Sequence, residues 1–366
     1  MKIKAVVADA GLLLPEAGTV CLEKFFPVDL WLVHNAEENM HVEAMGWNFT
    51  WAESRAKGVG SALVYLQQAY PGIRKNEILF LSRRVNFIGR FTAGAGTTCG
   101  EWTRPVDSKG RKGFFKGNPA IGVCPVECDF CYLRGVPFNV NSLALNVGEY
   151  AEQVGRWRRV RNREELPKVI NLAETGGPIE WAVEYGLQEW IQALTDATLE
   201  ADVIPYWLTK RAIAGVDFKG AHVGVSINPW YEMSTHSPGA DSYGELIEFL
   251  ARAGNSGAST VVRLGPIFSD ADYRSVSDLM WDEGLDMGRI TVDLLRYSTS
   301  HPHVPNHFQY RAHKWQESPA QQRAHLEMVR NLFPYARITG CKLDPRHAVR
   351  WVREGLIEAF PCACWV

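Results

Sequence analysis

No stretch of this chain approaches the ~18 uninterrupted apolar residues that a membrane-spanning helix requires. The N-terminus carries Lys2 and Lys4, but the apolar run behind them is broken by Asp9 and shows no clear cleavage site for a secretory leader. Cysteine is sparse, at 8 in 366 residues, too few for a disulfide framework in a chain of this length without a leader. Charge of either sign is also nearly absent in excess: the formal net charge is −2, so nucleic acid would have to be held by a local patch. There are no internal repeats, low-complexity tracts or long linkers. These absences predict a globular protein of a reducing compartment, the cytoplasm, with no membrane partner, and 46 % hydrophobic residues suffice for one large core or two modest ones.

Against this background stands Cys124-Pro125-Val126-Glu127-Cys128-Asp129-Phe130-Cys131. A closed zinc site would need a fourth ligand, usually from a second Cys or His pair nearby, yet the next cysteine is Cys341. Three thiolates spaced by three and then two residues can instead hold three irons of a 4Fe–4S cluster and leave the fourth open to a small molecule. A zinc-binding module without catalysis is the competing reading of the same run.

The surrounding pattern alternates. Helix-like periodicity covers 147–160, 179–200 and 243–253, and short apolar runs at 168–173, 203–209, 223–228, 260–267 and 290–295 read as buried strands. A further helix is expected over 52–70, stopped by Pro71-Gly72, and the Gly- and Lys-rich residues 107–117 read as an exposed loop. Strand and helix in alternation mean parallel βα units that curl into a barrel, with the informative residues at the strand ends. The expected fold is α/β, a partial (β/α)6-type TIM-like barrel over 118–300. An N-terminal extension (1–117) packs on it, and a C-terminal α/β segment (301–366) follows.

A Cys-x3-Cys-x-aromatic-Cys run at the end of a first barrel strand resembles the radical S-adenosylmethionine (radical SAM) superfamily. Tyr132-Leu133 after the third cysteine resembles its spore photoproduct lyase branch. Later segments agree in order: residues 174–180, Leu208-Thr209-Lys210, Ser226-Ile227-Asn228, Pro266-Ile267, 290–295 and 332–338. The resemblance covers roughly residues 123–338 and implies two cofactors, a 4Fe–4S cluster on Cys124, Cys128 and Cys131 and SAM on its open iron. It also implies an external electron donor such as a flavodoxin or ferredoxin. A zwitterionic amino acid needs an acceptor for its ammonium and donors for its carboxylate. Glu174 and Thr175 at the second strand are expected near the ammonium, with Gly176 and Gly177 allowing close approach. Lys210 and Ser226 are expected at the carboxylate or ribose, Phe130 against the adenine, and Arg263 near the cofactor or an anionic substrate group. Arg263 serves equally as half of a structural ion pair.

The departures from the branch concern the substrate. The lyase family returns a hydrogen atom from a cysteine near the end of its second strand, whereas residues 169–175 here contain none. It carries tyrosines on both sides of the third cysteine, and this chain has Tyr132 but Phe130. Residues 297–315 do not resemble its DNA-contacting hairpin. The expected activity is hydrogen abstraction from an organic substrate other than the spore lesion, with a DNA or RNA lesion-repair or modification lyase as the alternative. Tyr132 remains a candidate for hydrogen transfer, and Cys362 and Cys364 in the C-terminal tail are candidates to replace the missing cysteine or, with Cys341 and Cys99, to form a second metal site. His301, His303 and His307, interrupted by prolines, read as a surface loop. Five arginines between Arg156 and Arg163, with Trp157 among them, could grip a phosphate backbone but suit a solvated helix end better.

Overall fold

The computed structural model describes residues 3–9, 12, 19–25, 30–34, 66–81, 88–90, 115–117, 119–122, 124–131, 141–159, 169–173, 176–228, 236–267, 273–284, 289–294, 296–297, 309–311, 314–341, 343 and 345–358. An N-terminal sheet is built from β1 (Ala5–Asp9), β2 (Leu30–His34), β3 (Ile78–Leu81), β6 (Ala120–Ile121) and β7 (Asn141–Leu143), in the order β2-β1-β3-β7-β6. All are parallel except β6. The runs Ala5-Val6-Val7-Ala8 and Ile78-Leu79-Phe80-Leu81 are buried throughout, as strands covered on both faces must be.

The second sheet holds β4 (Ile88–Arg90), β5 (Phe115–Gly117), β8 (Val169–Asn171), β9 (Ile204–Thr209), β10 (His222–Ile227), β11 (Ser259–Ile267), β12 (Arg289–Leu294) and β16 (Arg337–Cys341). Its order is β16-β12-β11-β10-β9-β8-β5-β4, parallel except for the edge strand β4. Strands β5 and β8 to β12 are the six of the expected partial barrel, and β16 from the C-terminal segment adds a seventh parallel strand beside β12. A small antiparallel sheet of β13 (Arg296–Tyr297), β15 (Lys314–Gln316) and β14 (Gln309–Arg311) follows the barrel. Arg296, just past the apolar run 290–295, belongs to this sheet rather than to the barrel.

Helices α1 (Val147–Arg159), α2 (Pro178–Tyr185), α3 (Gln188–Glu200), α4 (Tyr243–Asn255), α5 (Arg274–Asp282), α6 (Pro319–Leu332) and α7 (Pro345–Arg353) lie between and after the barrel strands. The single helix expected over 179–200 is two, because Gly186 turns left-handed (φ 68°) and its N–H caps the first on Ala182. The apolar periodicity runs on through both helices, which is why the break does not show in the pattern. The expected 107–117 loop is also shortened, since its last three residues are β5. Of the helix expected over 52–70, residues 66–69 are helical and 52–65 lie outside the described residues.

One face of each barrel strand is apolar and meets the helices. Trp207, Val223, Val225, Ile227, Val262, Leu264, Ile290 and Val292 join Trp181, Trp190, Ile191, Leu246 and Phe249 in one core that also reaches Val6 and Leu79 of the first sheet. Several polar tips in that core are satisfied: Trp190 Nε1 donates to Ala144 O (3.0 Å), Trp207 Nε1 to Thr195 Oγ1 (3.0 Å), and the hydroxyls of Tyr150 and Thr198 meet at 2.6 Å, while Trp181 Nε1 has no hydrogen-bond partner among the described residues. The opposite face is polar, with Ser226, Arg263, Thr291 and Thr339 side by side across four strands. The barrel thus turns a row of chemistry-bearing side chains inward.

In the first sheet, Glu77 is fixed before β3 by Lys4 Nζ (2.9 Å) and by the backbone and guanidinium of Arg74 (both 2.9 Å). These donors hold its carboxyl down to about 2, against an ordinary 4.5. A lowered carboxyl contributes stability that is present above pH 4.5 and is lost as the pH falls through about 2. Glu77→Gln is expected to lower the melting temperature by a few degrees at pH 7, with the gap to the parent closing as the medium is acidified below pH 4.5, measured by thermal unfolding across pH.

Candidate metal centre

The cysteine loop follows β6 and is wound tightly. Glu127 adopts a left-handed conformation (φ 57°), its N–H reaches Cys124 O (3.2 Å), and the N–H of Cys131 reaches Cys128 O (3.3 Å). Winding of this kind keeps the three thiols on one short loop, within electrostatic reach of one another. The Cys124 thiol is pushed well above the ordinary range by burial first, and then by the charges of Glu180, Cys128 and Cys131. Burial also raises Cys128, against the pull of Lys210 and a hydrogen bond from Ser237. Metal loading must therefore displace protons from buried thiols, and rises with pH. Among the described residues no three His, Cys, Asp or Glu side chains converge as ligands of a single ion. A cluster does not ask for that convergence, since each thiolate takes its own iron, whereas zinc gathers all its ligands on one centre.

Strand ends and a glycine turn close around the loop. Gly177 precedes α2 in a left-handed conformation (φ 58°), and a Cβ there would lie 2.5 Å from Cys124 Cβ and 2.7 Å from Glu180 Oε2. Only glycine lets the turn approach this closely. Pro178 at the first helical position starts α2, and the first turn delivers Glu180 beside Cys124. Glu180 is 4 % exposed. Its Oε1 accepts from Thr209 Oγ1 (3.1 Å) and the N–H of Lys210 (2.8 Å), while Oε2, buried as well, has no hydrogen-bond partner among the described residues. Burial raises its carboxyl above the usual range.

Lys210, at the end of β9, directs its ammonium to Ser226 O (3.2 Å) and Asn228 Oδ1, and lies 5.6 Å from the centre of the Phe130 ring. Burial lowers its pKa, partly countered by the Cys128 thiol. A carboxylate oxygen and an ammonium thus stand on the same short network, against two of the three cysteines. Such a pair can bind a zwitterion in one orientation. These donors fit a cluster with an amino-acid-bearing cofactor: soft thiolates for iron, an acceptor for an ammonium and a cation for a carboxylate.

The other expected residues divide. Ser226 directs its hydroxyl to Gly265 O (3.1 Å), a backbone link between β10 and β11. Arg263 is bound through Nε (3.0 Å) and a terminal nitrogen (2.5 Å) to Asp293 on β12, the structural ion pair. Tyr132, Glu174, Thr175, Cys362, Cys364, Cys99, His301, His303 and His307 lie outside the described residues. So do positions 160–163 of the arginine run, while Arg158 pairs with Asp202 (3.0 Å) just before β9 begins. That ion pair is at the N-terminal end of the barrel strands, opposite the cysteine loop. The sequence reading assigned no role to Glu180, Asn228, Asp293 or Ser237. The first three stood inside segments already noticed, and Ser237 only folding could have brought into place.

Among the described residues no helix is long and apolar enough to cross a membrane. No protein-family model matches the chain, and no curated protein matches it in sequence. Among solved structures it is similar to a spore photoproduct lyase mutant with a dinucleoside spore photoproduct, at 14 % identity, covering 92 % of this chain and 98 % of that one, with a TM-score of 0.60. A lyase mutant with bound AdoMet and the same dinucleoside matches at 14 % identity with equal coverage and a TM-score of 0.59. Another structure of the lyase complexed with the dinucleoside gives 14 % and 0.57. Over nearly its whole length the chain has the fold of spore photoproduct lyase, the branch of the radical SAM superfamily that its cysteine run resembles.

Proposed function

We propose that the chain is a radical SAM enzyme that binds a 4Fe–4S cluster on Cys124, Cys128 and Cys131 and abstracts hydrogen from an organic substrate other than the spore photoproduct. The observation that carries this reading is the buried Glu180–Lys210 arrangement against Cys124 and Cys128. When bound, the reduced cluster and SAM supply reductive cleavage of the S–C5′ bond and a carbon radical. The chain's own residues bind and orient. Glu180 Oε2 accepts from the methionyl ammonium, Lys210 faces the carboxylate, and Phe130 offers an apolar ring to the adenine. Glu174 and Thr175 stand close in sequence to the same glycine turn and share the ammonium end. Asn228 and Ser226 O take protons of the Lys210 ammonium and fix its direction. Arg263, bridged to Asp293, presents a compensated charge at the inward face of the barrel.

Phe130 and the cysteine-free second strand separate the reaction from that of the lyase, so hydrogen return falls to Tyr132 or to Cys362 and Cys364. The lyase structures contain a dinucleoside, and a nucleic-acid lesion is the second reading for this chain. The placement of Arg158 at the far end of the barrel removes that arginine from the substrate side. Flavodoxin or ferredoxin is the class of electron donor, in a reducing compartment such as the cytoplasm.

Anaerobic reconstitution with iron and sulfide tests the reading. The expected product is a brown protein, bleached by dithionite, with about four irons per chain, that forms 5′-deoxyadenosine from SAM. A colourless protein that retains zinc on the three cysteines would overturn it.

A further inference from the structure

The loop before α4 grips the cysteine loop at three points. The N–H of Gly239 donates to Val126 O (3.1 Å), the N–H of Asp129 donates to His236 O (3.0 Å), and His236 Nδ1 meets Asp129 Oδ2 at 2.6 Å. A Cβ on Gly239 would stand 2.6 Å from Pro125 O, so the two loops touch backbone to backbone. Between these points Ser237, 1 % exposed, directs its hydroxyl to Cys128 Sγ at 3.1 Å. The residue is held in a turn by Ala240 N–H on its own carbonyl (2.9 Å). Asp241 closes the far side, accepting from the N–H of Ala212 (2.7 Å) and pairing with Arg211 (3.0 Å) beside Lys210. The hydroxyl is therefore fixed from both sides rather than resting on the sulfur by chance.

We infer that Ser237 is a positioning residue that tunes the reduction potential of the cluster through its hydrogen bond to Cys128. The inference rests on the reading of the three cysteines as cluster ligands. A donor on a ligand sulfur withdraws electron density and stabilises the reduced, more negative form, which raises the potential and eases reduction by an external donor. Cys124 is reached by a backbone N–H, that of Val126, which side-chain truncation leaves in place. Cys128 is linked to a side-chain hydroxyl, which makes its ligand field separately adjustable.

The full chain, reconstituted anaerobically as parent, Ser237→Ala and Ser237→Thr, is titrated reductively with the reduced cluster followed by electron paramagnetic resonance. Iron content is expected to be equal in all three. At the parent's midpoint, the ratio of reduced to oxidised cluster in Ser237→Ala falls about five- to tenfold, the size of one ordinary hydrogen bond, because the bond to the sulfur is made in both states and only its strengthening on reduction counts. Ser237→Thr keeps the hydroxyl and titrates with the parent. Ser237→Val against Ser237→Thr, alike in shape and different in the hydroxyl, repeats the contrast for any case in which the alanine variant does not fold. A cluster whose potential is the same with and without the hydroxyl overturns this inference alone. A parent that assembles no cluster overturns it together with the reading beneath it.

Discussion

Cys124→Ala is expected to yield a folded chain that holds less than one iron and forms no measurable 5′-deoxyadenosine. The substitution removes one small side chain from a site where burial already disfavours the thiolate, so the cost to the apo fold is on the order of 1 kcal/mol or less. The cost to the metal is of another size. With two thiolates remaining, a cubic cluster exposes a second iron to solvent and is lost on purification. Product formation falls beyond the roughly 100-fold that loss of a ligand's hydrogen-bond partner costs at metal sites. Cys21→Ala is the matched control, because Cys21 is buried in the N-terminal region against the backbone of Trp190. It keeps the parent's iron. Melting temperature, iron per chain and product after reduction are the three measurements. A Cys124→Ala protein with the parent's iron and turnover would reassign the ligand set.

What could be read without coordinates was what local spacing determines. The cysteine run needs no tertiary information, since three ligands within eight residues share one loop wherever the rest of the chain folds, and the alternation of apolar runs fixes a parallel barrel before any strand is placed. Lys210 and Phe130 were legible because they end or adjoin such elements. Partnership across the barrel was not legible. Arg263 meets a carboxylate thirty positions away on the next strand, and nothing in either neighbourhood says which polar residue will answer it. Ser237 stands 109 positions from the sulfur it reaches, in a segment whose sequence, His-Ser-Pro-Gly, reads only as a turn. The break at Gly186 was hidden because apolar residues continue on both sides of it, and β5 was hidden because three residues are too few for any periodicity.

The glutamates on either side of the glycine turn pose the sharpest choice left by the sequence, and one substitution decides it. Glu174, three positions past β8 in sequence, is the residue that the family resemblance implies near the ammonium, whereas Glu180 is the carboxylate that the helix start brings against Cys124. Glu180→Gln keeps a carbonyl oxygen that can accept from Thr209 and from the N–H of Lys210, so the turn and the end of β9 stay joined. Its other arm becomes an amide donor where Glu180 offers an oxygen without a partner. An ammonium then meets N–H instead of a lone pair. The loss of one charge-assisted hydrogen bond in a dry site is about 1.5–3 kcal/mol, which raises the dissociation constant for SAM roughly 10- to 100-fold. Iron content is unaffected, because the three sulfurs are intact. Equilibrium binding of SAM to the reconstituted parent, Glu180→Gln and Glu174→Gln measures the difference directly. Weakened binding in Glu180→Gln assigns the ammonium to the residue that starts α2. Weakening confined to Glu174→Gln returns it to that residue and leaves Glu180 as the bracket that holds Lys210 in line.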